Sequence, residues 1–160
     1  MSETLTRVPA IEGWYTTDVE APHLIGARCT TCATYIFPPR AAGCPNPHCS
    51  GNDLEQVPLS RQGTVWSYTE NQYAPPPPFV ATEPFEPYAL AAVTLDAEGI
   101  VVLGQVAKGV LAKDLKVGMV MELGIDVLYR DADHEYLVYV WEPAADQRDG
   151  AAPTVNGRTL

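Results

Sequence analysis

The chain has four thiols, Cys29, Cys32, Cys44 and Cys49, and they fall into two close pairs. The spacing is C-x2-C, eleven residues, then C-x4-C. A short loop that carries two thiolates makes half of a tetrahedral zinc site, and two such knuckles complete it. The first pair has the usual knuckle spacing. The second, Cys44-Pro45-Asn46-Pro47-His48-Cys49-Ser50-Gly51, reads as a CPxCG knuckle enlarged by two residues. That enlargement admits a competitor, because His48 stands beside Cys49 and imidazole is also a zinc ligand. The spacing therefore predicts one zinc per chain on Cys29, Cys32, Cys44 and Cys49, with His48 as the alternative to Cys49. Four thiolates leave no position open for water or substrate, so such a metal is a structural cross-link.

Other chemistry has little to stand on. The chain lacks a G-x-S-x-G elbow, an H-E-x-x-H helix, a phosphate loop and a dinucleotide fingerprint. His23 and His134 stand alone and read as surface or hydrogen-bonded residues. Asp131, Asp133 and Glu135 alternate in a turn but lack the glycine and closing glutamate of a calcium loop, so they read as solvated. Trp66 and Tyr68 suggest either a base-stacking platform or packing in a core or interface. No catalytic residue is nominated.

Charge bears on that choice. Twenty acidic and ten basic residues give a net charge of −10, and no basic cluster interrupts it. Nucleic-acid affinity comes largely from neutralising phosphates, so a nucleic-acid binder is disfavoured. The longest apolar stretch, around Tyr88 to Val93, is far short of a membrane span, and Met1 to Val8 lacks the apolar centre of a signal peptide. The chain is read as cytoplasmic, where thiols serve as metal ligands more often than as disulfides.

The elements that position the thiols can be read from periodicity and turn residues. Residues 1–22 are expected to be a loose leader to Pro9, then one short helix over Ala10–Ala21 from the spacing of Ile11, Trp14 and Tyr15. A strand at His23–Arg28 leads into Cys29, and Tyr35–Arg40 reads as another, so residues 23–56 form the metal unit. Residues 57–142 read as five strands, at Gly63–Asn71, Tyr88–Leu95, Ile100–Val106, Met119–Tyr129 and Tyr136–Trp141. Asp96-Ala97-Glu98-Gly99 is a hairpin turn, and Val110–Lys116 supplies one or two helical turns. Strand count and helix position match an OB-fold barrel, with other small barrels still open. Residues 73–87 form a long loop holding Pro75, Pro76, Pro77, Pro78, Phe79 and Phe85, too apolar for a simple linker, and Pro75–Phe79 is expected at a partner surface or at the rim of a shared substrate channel. Residues 143–160 read as a mobile tail.

Taken in order, Arg28-Cys29-Thr30-Thr31-Cys32, Phe37-Pro38-Pro39-Arg40, the second cysteine pair, Gly63-Thr64-Val65-Trp66-Ser67-Tyr68-Thr69, Pro87-Tyr88-Ala89-Leu90-Ala91-Ala92-Val93 and Leu115-Lys116-Val117-Gly118-Met119 resemble the zinc-ribbon/OB-fold proteins that accompany thiolase-like enzymes. The resemblance covers about residues 10–142. It implies a mainly β chain with a rubredoxin-like ribbon joined to a five-stranded OB barrel, and no catalytic residues of its own. It implies a hetero-oligomer with a thiolase or thiolase-fold aldolase acting on CoA thioesters. Examples of such reactions are retro-aldol cleavage of steroid side chains and thiolysis of aromatic acyl-CoA intermediates. A free-standing acyl-CoA or lipid carrier is the alternative from a different class.

Overall fold

The computed structural model of the protein describes residues 4–145. Of the mobile tail expected over 143–160, Pro143 instead ends the last strand and Ala144 is buried with its N–H on the Val120 carbonyl, and residues 146–160 lie outside the described residues. Nine strands run in chain order: β1 (Thr6–Pro9), β2 (Ile25–Cys29), β3 (Tyr35–Ile36), β4 (Leu54–Pro58), β5 (Gln62–Asn71), β6 (Tyr88–Leu95), β7 (Ile100–Val106), β8 (Val120–Arg130) and β9 (His134–Pro143). β2 lies between β3 and β4 in a small antiparallel sheet that carries the first cysteine knuckle at its end.

The other strands make the barrel. β5, β6 and β7 form an antiparallel meander, β7 runs parallel to β9, β9 pairs with β8, and β8 returns to β5. The sheet thus closes on itself as an OB-type barrel, and closure removes the exposed edges an open sheet would carry. Alternation drives the packing. On β6, Ala89, Ala91, Val93 and Leu95 are fully buried, while the residues between them are only partly covered. Val65, Met121, Leu123 and Trp141 fill the same interior, so the barrel has a packed core and not an open lumen. Gly99, at φ +70°, makes the β6–β7 turn with its N–H on the Leu95 carbonyl at 2.8 Å. The adjacent Glu98 carboxylate accepts both the N–H and the hydroxyl of Ser60, tying this turn to the ribbon–barrel joint.

The expected N-terminal helix over Ala10–Ala21 does not form. The start of the chain, expected to be a loose leader, contributes β1, which lies parallel to β9 from Thr6↔His134 to Pro9↔Leu137. The following residues run in turns and extended backbone, with Gly13 at φ +81°. Two longer-range pairings replace helical hydrogen bonds here: Ile25 N–H donates to the Trp14 carbonyl at 2.7 Å, and Thr16 N–H to His23 at 2.9 Å. The aromatic residues that mimic helical spacing serve the junction instead. Trp14 meets Phe37 at 5.7 Å, Tyr15 meets Tyr139 at 5.4 Å, and Phe37 meets Tyr139 at 6.1 Å, all edge-to-face. Tertiary packing of four rings outweighs the weak helical preference of the segment.

Two further expectations shorten. Tyr35–Arg40 pairs only at Tyr35–Ile36, because Pro38 and Pro39 have no N–H to give a ladder. Val110–Lys116 contains a single 3-10 turn at Ala112–Asp114. β4 was not anticipated, since Leu54-Glu55-Gln56-Val57-Pro58 lacks a clear strand pattern.

Tyr15 supplies a test of the junction. Its hydroxyl donates to the Leu137 carbonyl at 2.8 Å in a buried setting and accepts from Ile11 N–H at 3.2 Å. Tyr15→Phe leaves a buried carbonyl without that donor, so thermal or urea unfolding should show a loss of about 1–2 kcal/mol.

Candidate metal centre

The first knuckle grows out of the end of β2. Cys29 N–H donates to the Thr34 carbonyl and Ala33 N–H to the Cys29 carbonyl, both at 2.9 Å, with Ala33 held at φ +63° to complete the turn. In the second knuckle, Cys44 N–H donates to Gly51 O at 3.1 Å and Cys49 N–H to Asn46 O at 3.0 Å. The two extra residues are absorbed by Asn46. Its side-chain oxygen accepts from His48 N–H at 3.0 Å, and its amide nitrogen donates toward Cys32 Sγ at 3.7 Å. Thr30 reaches across with N–H and hydroxyl to Asp53 O, clasping the two halves. Gly51 fits where a side chain would not. A Cβ there would stand 2.6 Å from Thr31 Oγ1 and 3.1 Å from Cys29 Sγ.

These turns bring the four sulfurs within 4.8 Å of one another. Cys29 and Cys49 are 3.9 Å apart, and Cys32 and Cys44 are 3.5 Å apart. A regular tetrahedron around zinc, with Zn–S near 2.3 Å, has edges of about 3.8 Å. The donor set therefore fits zinc in both chemistry and spacing. His48 is exposed and its imidazole is not part of the cluster, so the four-sulfur set is the one the fold assembles.

The electrostatics are uneven. A hydrogen bond from the Thr34 hydroxyl, then its backbone N–H, holds Cys32 down to about 6. Backbone N–H groups of Cys32 and Thr31 lower Cys29. The Asn46 backbone N–H favours the Cys44 thiolate, yet desolvation and the neighbouring sulfurs together push Cys44 up to about 12. Cys49 is raised in the same way against the help of Gly51 N–H. Four thiolates this close repel one another, and a divalent cation is what lets all four ionise together. Zinc held by Cys29, Cys32, Cys44 and Cys49 would supply cross-linking only, with no vacant position.

The remaining candidates do not join a site. Asp131 is occupied as a turn cap, accepting from Asp133 N–H and His134 N–H, which hold its carboxyl below the usual range. A bulge at Trp66 interrupts the pairing of β5 with β6, and Trp66 is 65% exposed. Tyr68 is also exposed, so neither ring belongs to the core. One feature was missed in the sequence. Val101 and Leu103 alternate outward on β7, and Leu103 is 60% exposed. With Trp66, Leu90, Ala92 and Thr94 they give the outside of β5–β6–β7 a face without an ionised group.

Comparison with known proteins follows this division of the chain. Residues 18–55 match the rubredoxin-like zinc ribbon domain of ChsH2, and residues 56–126 match the ChsH2 C-terminal OB-fold domain. The benzoylsuccinyl-CoA thiolase subunit BbsA of Thauera aromatica is 43% identical over 54 residues, covering 34% of this chain and 35% of that protein. A protein of Thermomonospora curvata described as "Probable enoyl-CoA hydratase alpha subunit" is 30% identical over 126 residues, covering 79% of this chain and 35% of the relative. The chain thus matches about a third of the length of these curated relatives. Among solved structures, a chain of the Ltp2-ChsH2(DUF35) aldolase superposes with a TM-score of 0.57 at 30% identity, over 77% of this chain and 86% of that one. The chain belongs to the ChsH2 family, with that family's rubredoxin-like zinc ribbon and C-terminal OB-fold domains.

Proposed function

We propose that this chain is a non-catalytic accessory subunit that binds and stabilises a thiolase-fold enzyme, a thiolase or a retro-aldolase, acting on acyl-CoA thioesters. The observation that carries the reading is the likeness to a chain of the Ltp2-ChsH2(DUF35) aldolase, over 86% of that chain's length. The thiolase-subunit relative supports the same class of partner. The absence of a catalytic constellation among the described residues is what such a role requires. Steroid side-chain or aromatic acid degradation is the proposed setting, with acyl-CoA reaching the interface between the subunits.

Exposed apolar surface supports a partner. The uncharged face with Trp66 and Leu103, together with the rim Pro75–Pro78 and Phe79, offers stiff apolar contact area at low ordering cost. The hydratase-named relative carries no hydratase reading here, because about two thirds of that protein lies outside the match. A carrier of long acyl chains is disfavoured by the filled barrel interior.

Co-expression with a thiolase-fold protein tests the proposal. The two should co-purify, and cleavage of acyl-CoA should need both. Turnover by this chain alone, beyond any contaminant, would overturn the accessory reading.

The nucleic-acid reading has its own test. Among the described residues, Arg7, Arg28, Arg61 and Arg130 each face a carboxylate within 4.0 Å, which limits the cations open to phosphates. Fluorescence anisotropy with single-stranded DNA at physiological salt should show weak or no binding. Tight binding that falls steeply with added salt would revive the base-stacking role of Trp66.

A further inference from the structure

The loop over residues 73–87 encloses space. Phe79 stacks on Tyr88 at 5.8 Å with the rings 19° from parallel, and Phe85 meets the same ring edge-on at 6.3 Å. The loop is thereby folded back over the start of β6. Across from it, the chain leaves β7 through a tight turn at Ala107–Val110, with Gly109 at φ +87° and Val110 N–H on Ala107 O. Val127 and Leu128 on β8 complete the wall. Between the walls lies a pocket of about 110 Å³. Its sides are mostly aromatic rings and branched aliphatic chains, with the polar side chains of Thr82, Glu86, Gln105 and Lys108 among them.

One cation stands at the mouth. The side chain of Lys108 is 71% exposed, yet Nζ is anchored by a hydrogen bond to the Val127 carbonyl at 2.8 Å, with an Asp126 oxygen at 3.7 Å. An ammonium has three N–H donors, and the carbonyl takes one. The Glu86 carboxylate is the other ionised group of the lining, and that residue is exposed. Size and chemistry together limit what fits. An apolar cavity of about 150 Å³ takes a benzene ring. This slightly smaller, open pocket has room for one ring or one short branched chain.

We propose that this pocket is a binding site for a ring-sized apolar group bearing a carbonyl or carboxylate oxygen, the ring lying among Phe79, Tyr88, Val110 and Leu111 and the oxygen accepting from Lys108. The inference goes beyond the accessory role and is tested on the isolated, zinc-loaded full chain, so it stands or falls independently of any partner. The probes are benzoate, benzamide, benzylamine and octanoate, followed by methyl and amide NMR.

Benzoate and benzamide should shift the methyls of Val80, Val110, Leu111, Val127 and Leu128 in a saturable way. Benzylamine, which places a cation against Lys108, should bind much more weakly, and octanoate should be excluded by length. Lys108→Ala should weaken benzoate about tenfold and benzamide by less, since a neutral carbonyl loses a weaker bond than a carboxylate does. Val110→Phe should abolish both by filling the pocket. Thr82→Trp, from the exposed loop on the other wall, serves the same purpose if Val110→Phe fails to fold. Shifts absent up to the solubility limit, shifts scattered over the surface, benzylamine binding as well as benzoate, or unchanged binding by a folded pocket-filling variant would each overturn the proposal.

Discussion

Cys29→Ser is expected to strip the metal and unfold the ribbon. Cys29 is fully buried at the end of the central strand of the small sheet, and its sulfur faces Cys49 at 3.9 Å. Residues 30–53 have little apolar material of their own to hold the two knuckles together once the cross-link is gone. Structural zinc sites contribute about 10–16 kcal/mol in small ribbons, which exceeds the net stability of a typical domain. Elemental analysis of the purified variant should find well under one zinc per chain, and near-ultraviolet circular dichroism should show loss of ribbon packing. Cys32→Ser, Cys44→Ser and Cys49→Ser should behave alike. His48→Ala should keep its zinc, because the exposed imidazole stands outside the sulfur cluster. Loss of zinc in His48→Ala alone would refute the four-cysteine set. Binding releases thiol protons, so metal affinity should also fall as pH falls.

What the sequence made legible follows from where information is local. The sulfur cluster was readable because a C-x2-C or C-x4-C turn places its thiols by itself. The strand pattern of Tyr88–Leu95 was readable because strict alternation with small residues fits one buried face. The Ala10–Ala21 segment was misread because its periodicity came from Trp14 and Tyr15, whose partners Phe37 and Tyr139 lie far along the chain. Thr6–Pro9 was invisible for a related reason. A four-residue strand has almost no pattern, and its pairing with His134–Leu137 spans nearly the whole chain. Asn46, which makes the enlarged knuckle workable, carries a role that only the turn geometry reveals. The long loop looked like open apolar surface, but Phe79 and Phe85 spend part of their area on Tyr88. Its prolines form a rim that still exposes Tyr73 and Val80, and a second set of exposed apolar groups, Trp66 and Leu103, lies on the barrel.

That redistribution sets the second large effect, on assembly. Trp66 and Leu103 are 65% and 60% exposed on neighbouring parts of one uncharged sheet face. β6 lies between them, presenting Ala92 opposite both Ser67 and Leu103, so the face is low in the middle and bounded by two large apolar groups. Such a surface suits a complementary ridge on a partner, and buried aromatic anchors dominate interface energetics. Trp66→Glu and Leu103→Glu each put a charge where a desolvated contact is proposed. Each should weaken the complex by at least about thirtyfold, with the double variant failing to co-purify with the thiolase-fold partner. Because both side chains point away from the core, zinc content and melting temperature should stay near those of the parent. Replacing Pro75–Pro78 by glycine and serine, with Phe79 retained on Tyr88, provides the comparison. If that loop variant dissociates while Trp66→Glu and Leu103→Glu assemble and turn over normally, the partner docks on the proline rim and the sheet face is not the interface. If only the sheet-face variants dissociate, the barrel carries the contact, and the loop is left to the pocket that it covers.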